Sequence, residues 1–289
     1  MGSPLVKARP VTGCAAGDID ADGDTDLVLA REWGSVMLLL NNGGTFADAS
    51  EAWGLAPHTG LWNGVTLADF DGDGRPDIAA SNAGRNTVYE LYPKPVRLFY
   101  GDADGDDVME IAEGFIDPGS KHLKPIRKLD VFEKTFPQVR NRIIRNKAFA
   151  ASSLQEIIGP AFHHMESVEI RTLSSAIFLN KNRRFKMSPL PDTAQYSPVF
   201  GLSAVDFNGD GFADLFLTQN DFGIPERHSR YDSGRGLLLQ GDGTGNFTTV
   251  PASVSGIAIQ GELRGVVAAD FNGDGQLDLA VSQRGAATM

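Results

Sequence analysis

Nine residues, Asp69-Phe70-Asp71-Gly72-Asp73-Gly74-Arg75-Pro76-Asp77, place carboxylates at positions 1, 3, 5 and 9 of one short stretch. So dense a negative charge repels itself unless a cation neutralises it. The spacing suits Ca²⁺, a hard ion that takes six to eight oxygens from carboxylates, backbone carbonyls and water. Odd positions turn their oxygens inward as such a loop curls. Gly72 and Gly74 supply the left-handed backbone angles that a tight curl needs. Arg75, at position 7, is expected to contribute its main-chain carbonyl.

The stretch recurs in one register. The first copy holds Asp18, Asp20, Asp22, Asp24 and Asp26; Asp69, Asp71, Asp73, Arg75 and Asp77 form the second. The third holds Asp102, Asp104, Asp106, Val108 and Glu110, and is the loosest, with Asp107 in place of a glycine and a longer acid at position 9. The fourth holds Asp206, Asn208, Asp210, Phe212 and Asp214, and the fifth Asp270, Asn272, Asp274, Gln276 and Asp278. A solvated turn accounts for one acidic nonapeptide. Five in register call for metal, and up to five Ca²⁺ ions are expected.

The five loops contain 20 of the 37 acidic residues in this 289-residue chain. Five bound Ca²⁺ would bring its formal charge from −11 to about −1. The acidity therefore reads as ligand content, not as an acidic tail. The single cysteine, Cys14, excludes an internal disulfide and reads as a small buried strand residue. No apolar run is long enough to span a membrane. Loops of this kind favour a calcium-rich compartment: secreted, periplasmic or cell-surface. Met1-Gly2-Ser3 reads as an expression start.

Short apolar runs frame the loops, such as Val65-Thr66-Leu67-Ala68 before and Ile78-Ala79-Ala80 after the second. Runs of this length bounded by Gly and Asp predict buried strands, so the unit is strand, metal loop, strand. Helices would flank an EF-hand loop. A second signature, Leu38-Leu39-Leu40-Asn41-Asn42-Gly43-Gly44-Thr45-Phe46, predicts a hairpin and recurs at 177–185 and 237–247. Two hairpins per repeat make a four-stranded antiparallel blade, and blades repeated radially make an all-β propeller. The propeller is expected over 1–289, with a small helical insertion within 115–175. Asp130 and Ser153 each precede a Glu by three residues, the spacing that opens a helix. Only 11 residues follow Asp278, too few for a full blade. Either residues 4–17 supply the missing outer strand, or the chain is a fragment whose incomplete blade offers a route to self-association.

No catalytic constellation is visible: no Gly-x-Ser-x-Gly elbow, no P-loop and no zinc-spaced histidine pair. Trp53 and Trp62 near His58 read as packing aromatics rather than a sugar-stacking surface. Residues 121–186 carry 14 Lys/Arg against 5 Asp/Glu. Arg140, Arg142, Arg145 and Lys147 are expected on one helix, and Phe132, Phe136, Ile143, Ile144 and Phe149 on its buried side, clamped to the propeller. This lobe reads as a solvated face that balances the acidic loops, ahead of an anion-binding surface. Arg227, Arg230 and Arg235 are candidates to line the same region.

The pattern Asp-Phe-Asp-Gly-Asp-Gly-x-x-Asp at 69–77 resembles the FG-GAP/VCBS repeat of integrin α-subunit propellers and many secreted bacterial proteins. Segments 82–87, 153–159, 194–201 and 283–288 are similar to the repeat region of ASPIC/UnbV-type, cartilage-acidic-protein-like chains. The resemblance implies a calcium-loaded propeller of about seven blades, of which about five repeats are present. In that family an ASPIC/UnbV domain follows a segment like 283–288, which favours a fragment. It also implies a secreted interaction module for a protein or glycan ligand, with nucleic acid not expected as a partner. The alternative is a glycan lyase or hydrolase that uses a Ca²⁺ site, best placed at the irregular third loop.

Overall fold

The computed structural model describes residues 10–141, 143, 145–223 and 230–289. Met1-Gly2-Ser3, Arg142, Ile144 and Arg227 lie outside the described residues. The chain forms two compact units: Met1–Thr87 with Leu173–Met289, and Val88–Thr172.

The larger unit is a series of antiparallel sheets. The first runs β1 (Val11–Gly17), β2 (Asp26–Ser35), β3 (Met37–Asn42), β4 (Thr45–Asp48), with β5 (Thr59–Leu61) pairing to the far end of β2. The second begins with β6 (Gly64–Ala68) and β7 (Asp77–Ser81). There the chain leaves to build the smaller unit.

That unit holds β8 (Val96–Gly101), β9 (Glu110–Ile116), β10 (Leu123–Pro125) and β11 (Glu166–Ile170), in spatial order β10-β9-β8-β11. It also holds the short helices α1 (Leu129–Thr135), α2 (Asn146–Ala151) and α3 (Leu154–Ile158). Back in the larger unit, β12 (Ala176–Asn180) pairs with β7, and β13 (Phe185–Pro189) finishes that four-stranded sheet. The third sheet is β14 (Val199–Val205), β15 (Asp214–Gln219), β16 (Leu237–Gly241) and β17 (Phe247–Val250), and β18 (Glu262–Ala269) pairs with β19 (Asp278–Arg284) in a two-stranded sheet. All three predicted hairpins form, as β3–β4, β12–β13 and β16–β17. The architecture is thus all-β, with several four-stranded antiparallel sheets and few helices.

In the larger unit the first strands of successive sheets, β1, β6, β14 and β18, lie side by side in that order. Apolar clusters fill the space from each sheet to the next. Val28 and Leu38 meet Trp62, Ile78 and Phe178; Ala79 and Ile177 meet Leu215 and Leu239; Phe216 meets Leu263 and Val281. Second strands are covered on both faces, so β7 and β15 are buried at every residue. This is why their sequences are continuous apolar runs without alternation. Trp62 packs edge-on to Phe178 at 5.5 Å, and Trp53 lies 5.7 Å from Phe185, so both tryptophans are core aromatics.

Several sequence expectations change. Helices α1 to α3 lie within 129–158, and the compact unit around them runs 88–172 and includes the third acidic loop, between β8 and β9. In sequence that loop reads as the next copy of the series, but it lies in the smaller unit, which separates along the chain β7 and β12, neighbours in one sheet. Residues 11–17 belong to the first sheet and do not complete the last. Cys14 is exposed, because β1 is an edge strand. Asp130 does not cap α1; Lys128 stands at the cap without a side-chain bond. Ser153 and Glu156 do form a reciprocal capping box on α3. The basic residues are not on one helix: Arg140 lies in a 3-10 turn, Arg145 at a helix cap and Lys147 in α2. Phe132, Phe136, Ile143 and Phe149 are buried with Phe99 and Ala112, the sheet residues of their own unit.

Candidate metal centres in the strand-to-strand loops

Each acidic nonapeptide joins two antiparallel strands, and all five close in the same way. Residues at positions 4 and 6 are left-handed in every copy. Ala21 (φ 60°) and Asp107 (φ 65°) hold this conformation where the other loops use glycine. The third loop therefore keeps the common backbone despite its irregular sequence.

The carboxylates divide the work. Position 1 gathers the loop's own amides: Asp69 Oδ1 accepts from Gly72 and Asp73 N–H at 2.8 and 3.1 Å, and Oδ2 from Gly74 N–H at 2.8 Å. Position 5 accepts from the N–H of position 7, as Asp210 does from Phe212 at 2.9 Å. These bonds hold the Asp102, Asp210 and Asp270 carboxyls below the usual range.

Position 9 is a staple. Asp77 Oδ2 accepts from Phe70 N–H at 2.9 Å, and Oδ1 from Asn180 N–H in β12 at 2.7 Å. Asp26 does the same with Ile19 and Asn41, and Asp214 with Phe207 and Gly241. In the fifth loop Asp278 bonds Phe271 N–H at 3.1 Å, and in the third Glu110 bonds Ala103 N–H at 2.6 Å. Asp77 is fully buried, and burial pushes its carboxyl up to about 6. Asp214 is raised for the same reason. Asp77→Ala is therefore expected to cost about 2–4 kcal/mol even in EDTA, because two buried N–H groups lose their acceptor. Asp73→Ala, at an exposed loop position, should cost under about 1 kcal/mol, both variants being measured by urea unfolding in EDTA.

Position 3 is the position that the fold leaves unsatisfied. Oδ1 of Asp20 and Oδ1 of Asp71 are buried and have no hydrogen-bond partner. Burial, with the neighbouring charges of Asp22 and Asp26, raises the Asp20 carboxyl. Three sets of acids converge with oxygens within 4.8 Å of one another: Asp18, Asp20 and Asp22; Asp69, Asp71 and Asp77; Asp102, Asp104 and Glu110. An orphaned carboxylate oxygen amid converging acids fits a hard cation, so these clusters could hold metal ions. In loops four and five the Asn208 and Asn272 amides instead donate to Asp210 and Asp274 at 2.8 and 3.0 Å. Asp24 turns its carboxylate to Gly43 N–H at 2.7 Å, leaving its carbonyl as the group it offers the loop. The Val108 and Phe212 side chains are exposed, as position 7 requires if the main chain is what faces inward.

The basic lobe directs some of its charge inward. Lys124 Nζ donates to the Ala150 carbonyl in the last turn of α2 at 3.2 Å and to that of the capping Ser152 at 2.9 Å, and Arg127 pairs with the buried Glu113. Both cations border a cavity of 820 Å³ floored by Phe115 and Phe149. No helix among the described residues is long and apolar enough to cross a membrane.

Sequence reasoning missed one feature. A glycine precedes position 1 by five residues in four loops: Gly13, Gly64, Gly201 and Gly265. These glycines lie on the four adjacent first strands. Before the third loop the same position is Arg97, which pairs with Glu169 on β11. The offset was present in the sequence as the mark separating the third loop from the series.

Comparison with known proteins agrees with the repeats. A model of the FG-GAP-like repeat matches residues 18–80 and 223–281, and a model of the FG-GAP repeat matches 199–239. Cartilage acidic protein 1 of Mus musculus is 25% identical over 281 residues, covering 92% of this chain and 39% of that protein. The chain thus spans well under half of that relative. The crystal structure of the V. cholerae biofilm matrix protein Bap1 aligns over 94% of this chain and 59% of its own, at 12% identity and a TM-score of 0.32, too low to argue a shared fold.

Proposed function

This chain belongs to the FG-GAP-repeat proteins, and from that membership we propose that it is part of a calcium-stabilised β-propeller serving as an extracellular, non-catalytic interaction scaffold. The side-by-side order of β1, β6, β14 and β18 supports radial blades. The observation that carries the metal reading is the orphaned, buried Asp71 Oδ1 among converging acids. Positions 1, 3, 5 and 9 would hold the ion with the carbonyl of position 7. Bound Ca²⁺ supplies the positive charge that lets such a loop stay closed. The likeness to cartilage acidic protein 1 supports an extracellular setting. Recognition then falls to exposed inter-strand loops on a rigid frame, with a protein or glycan as ligand.

Native mass spectrometry in calcium should show several ions per chain, up to one for each loop, all lost in EDTA. A chain that carries no calcium overturns the proposal. Glycan and protein arrays probed with and without calcium should give hits only in its presence, without turnover of the captured ligand.

A further inference from the structure

Loop two differs from its fellows in what sits on its acids. Lys181 Nζ pairs with Asp71 Oδ2 and lies 3.7 Å from Asp73 Oδ2, and Arg75 pairs with that same Asp73 oxygen. The turn between β12 and β13 aims the lysine. Lys181 N–H donates to Arg184 O at 2.9 Å, bracketing the left-handed Asn182 and Arg183 in a two-residue hairpin turn. One residue earlier, Asn180 N–H is bound to the staple Asp77. Lys181 is thus held one step from the loop's anchor.

The same register position, one after the residue whose N–H bonds the staple, is Asn42 in the first sheet and Asp242 in the third. One is neutral and the other negative. Among the described residues no ion pair falls on the acids of loops three, four or five, and loop one receives only Arg183, 4.0 Å from Asp20 Oδ2. The Asp71 side chain is only 4% exposed. Its Oδ2 faces the lysine while its Oδ1 stays buried without a partner, so the loop retains an unsatisfied ligand despite its tethered cations.

We infer that Lys181, assisted by Arg75, makes loop two a weakened divalent-cation site, the last of the loops to fill as calcium rises and the first to empty. The inference rests on the calcium reading above. A divalent ion entering loop two meets a fixed positive charge and competes with the ammonium for Asp71. An exposed tethered cation at this range lowers affinity roughly tenfold after solvent screening. Loop two would then respond to calcium at concentrations where its neighbours are already saturated.

The test is a calcium titration followed by native mass spectrometry on three proteins: wild type, Lys181→Met and Asp69→Ala. In the wild type one ion should lag the others by about a factor of ten in concentration. Asp69→Ala, which removes the first ligand of loop two, should delete the lagging ion and spare the early ones. Lys181→Met, a change on an exposed turn, should draw the lagging ion level with the rest. A lag that survives Lys181→Met, or loss of an early ion in Asp69→Ala, overturns the inference and leaves the calcium reading standing. Failure of every loop to bind calcium in the wild type overturns both.

Discussion

On the proposed calcium reading, EDTA is expected to lower the unfolding midpoint of this chain by about ten degrees or more. Five loops contain 20 acidic residues, and the fold brings their oxygens within 4.8 Å of one another in three of them. Without a cation, that arrangement sets like charges together and keeps the Asp20 and Asp71 oxygens buried with no donor. A ligand that binds only the folded state adds about 2.7 kcal/mol at one hundred times its dissociation constant. For a domain of this size each kcal/mol moves the midpoint by about 2–4 °C. Two loops filled to that level already exceed ten degrees. Scanning calorimetry in calcium and in EDTA, with magnesium as the control, reads the effect directly. Magnesium should restore little, because it keeps its waters and demands a near-ideal octahedron. An EDTA melt that coincides with the calcium melt would show that the loops hold themselves closed by backbone bonding alone.

How much of this was legible beforehand depends on the range of the interaction involved. The loops were readable because a nonapeptide encodes its own curl. The acids at positions 1 and 5 bond amides within the same nine residues, and the left-handed positions are marked mostly by glycine. The three hairpins were readable for the same reason. The capping box of Ser153 and Glu156 is also a four-residue device. What failed was non-local. That β7 continues into β12 across the smaller unit depends on Ile78 pairing with Phe178, a hundred residues apart in sequence. Nothing near Ile78 announces that partner. The third loop looked like its fellows because the nonapeptide is indifferent to whether the strand before it sits beside another sheet. Cys14 was placed in the core because an apolar strand residue usually is, whereas β1 is an edge. The staple at position 9 was read only as a ligand, since its bond to the third strand needs that strand's register.

The glycine five residues ahead of four of the loops leads to the second large effect: Gly64→Val should cost about 4 kcal/mol or more, measured by urea unfolding in saturating calcium. A Cβ on Gly64 would run into the backbone carbonyl of Phe200 and stand 3.2 Å from Ser81 Oγ. A Cβ on Gly13 would meet Gly64 Cα at 2.9 Å, and one on Gly201 would meet Arg264 O at 2.5 Å. The obstacles are main chain, so no rotamer change relieves them; the strands must part. Parting them breaks the Asn63 Nδ2 bond to Val199 O, 3.0 Å long and buried. It also opens the space between sheets that Ala79, Ile177 and Leu215 fill. Side-chain hydroxyls occupy the room that these glycines leave: Ser81 Oγ donates to Gly64 O at 3.3 Å, and Thr218 Oγ1 accepts from Gly201 N–H at 2.6 Å. Gly17→Ala is the control, because there a Cβ meets only the flexible end of Leu67, at 3.0 Å, and should cost under about 1 kcal/mol. Gly64→Ala should fall between the two. If Gly64→Val unfolds no earlier than Gly17→Ala, the first strands do not approach as closely as their glycines permit, and the side-by-side order that supports a propeller loses its physical basis.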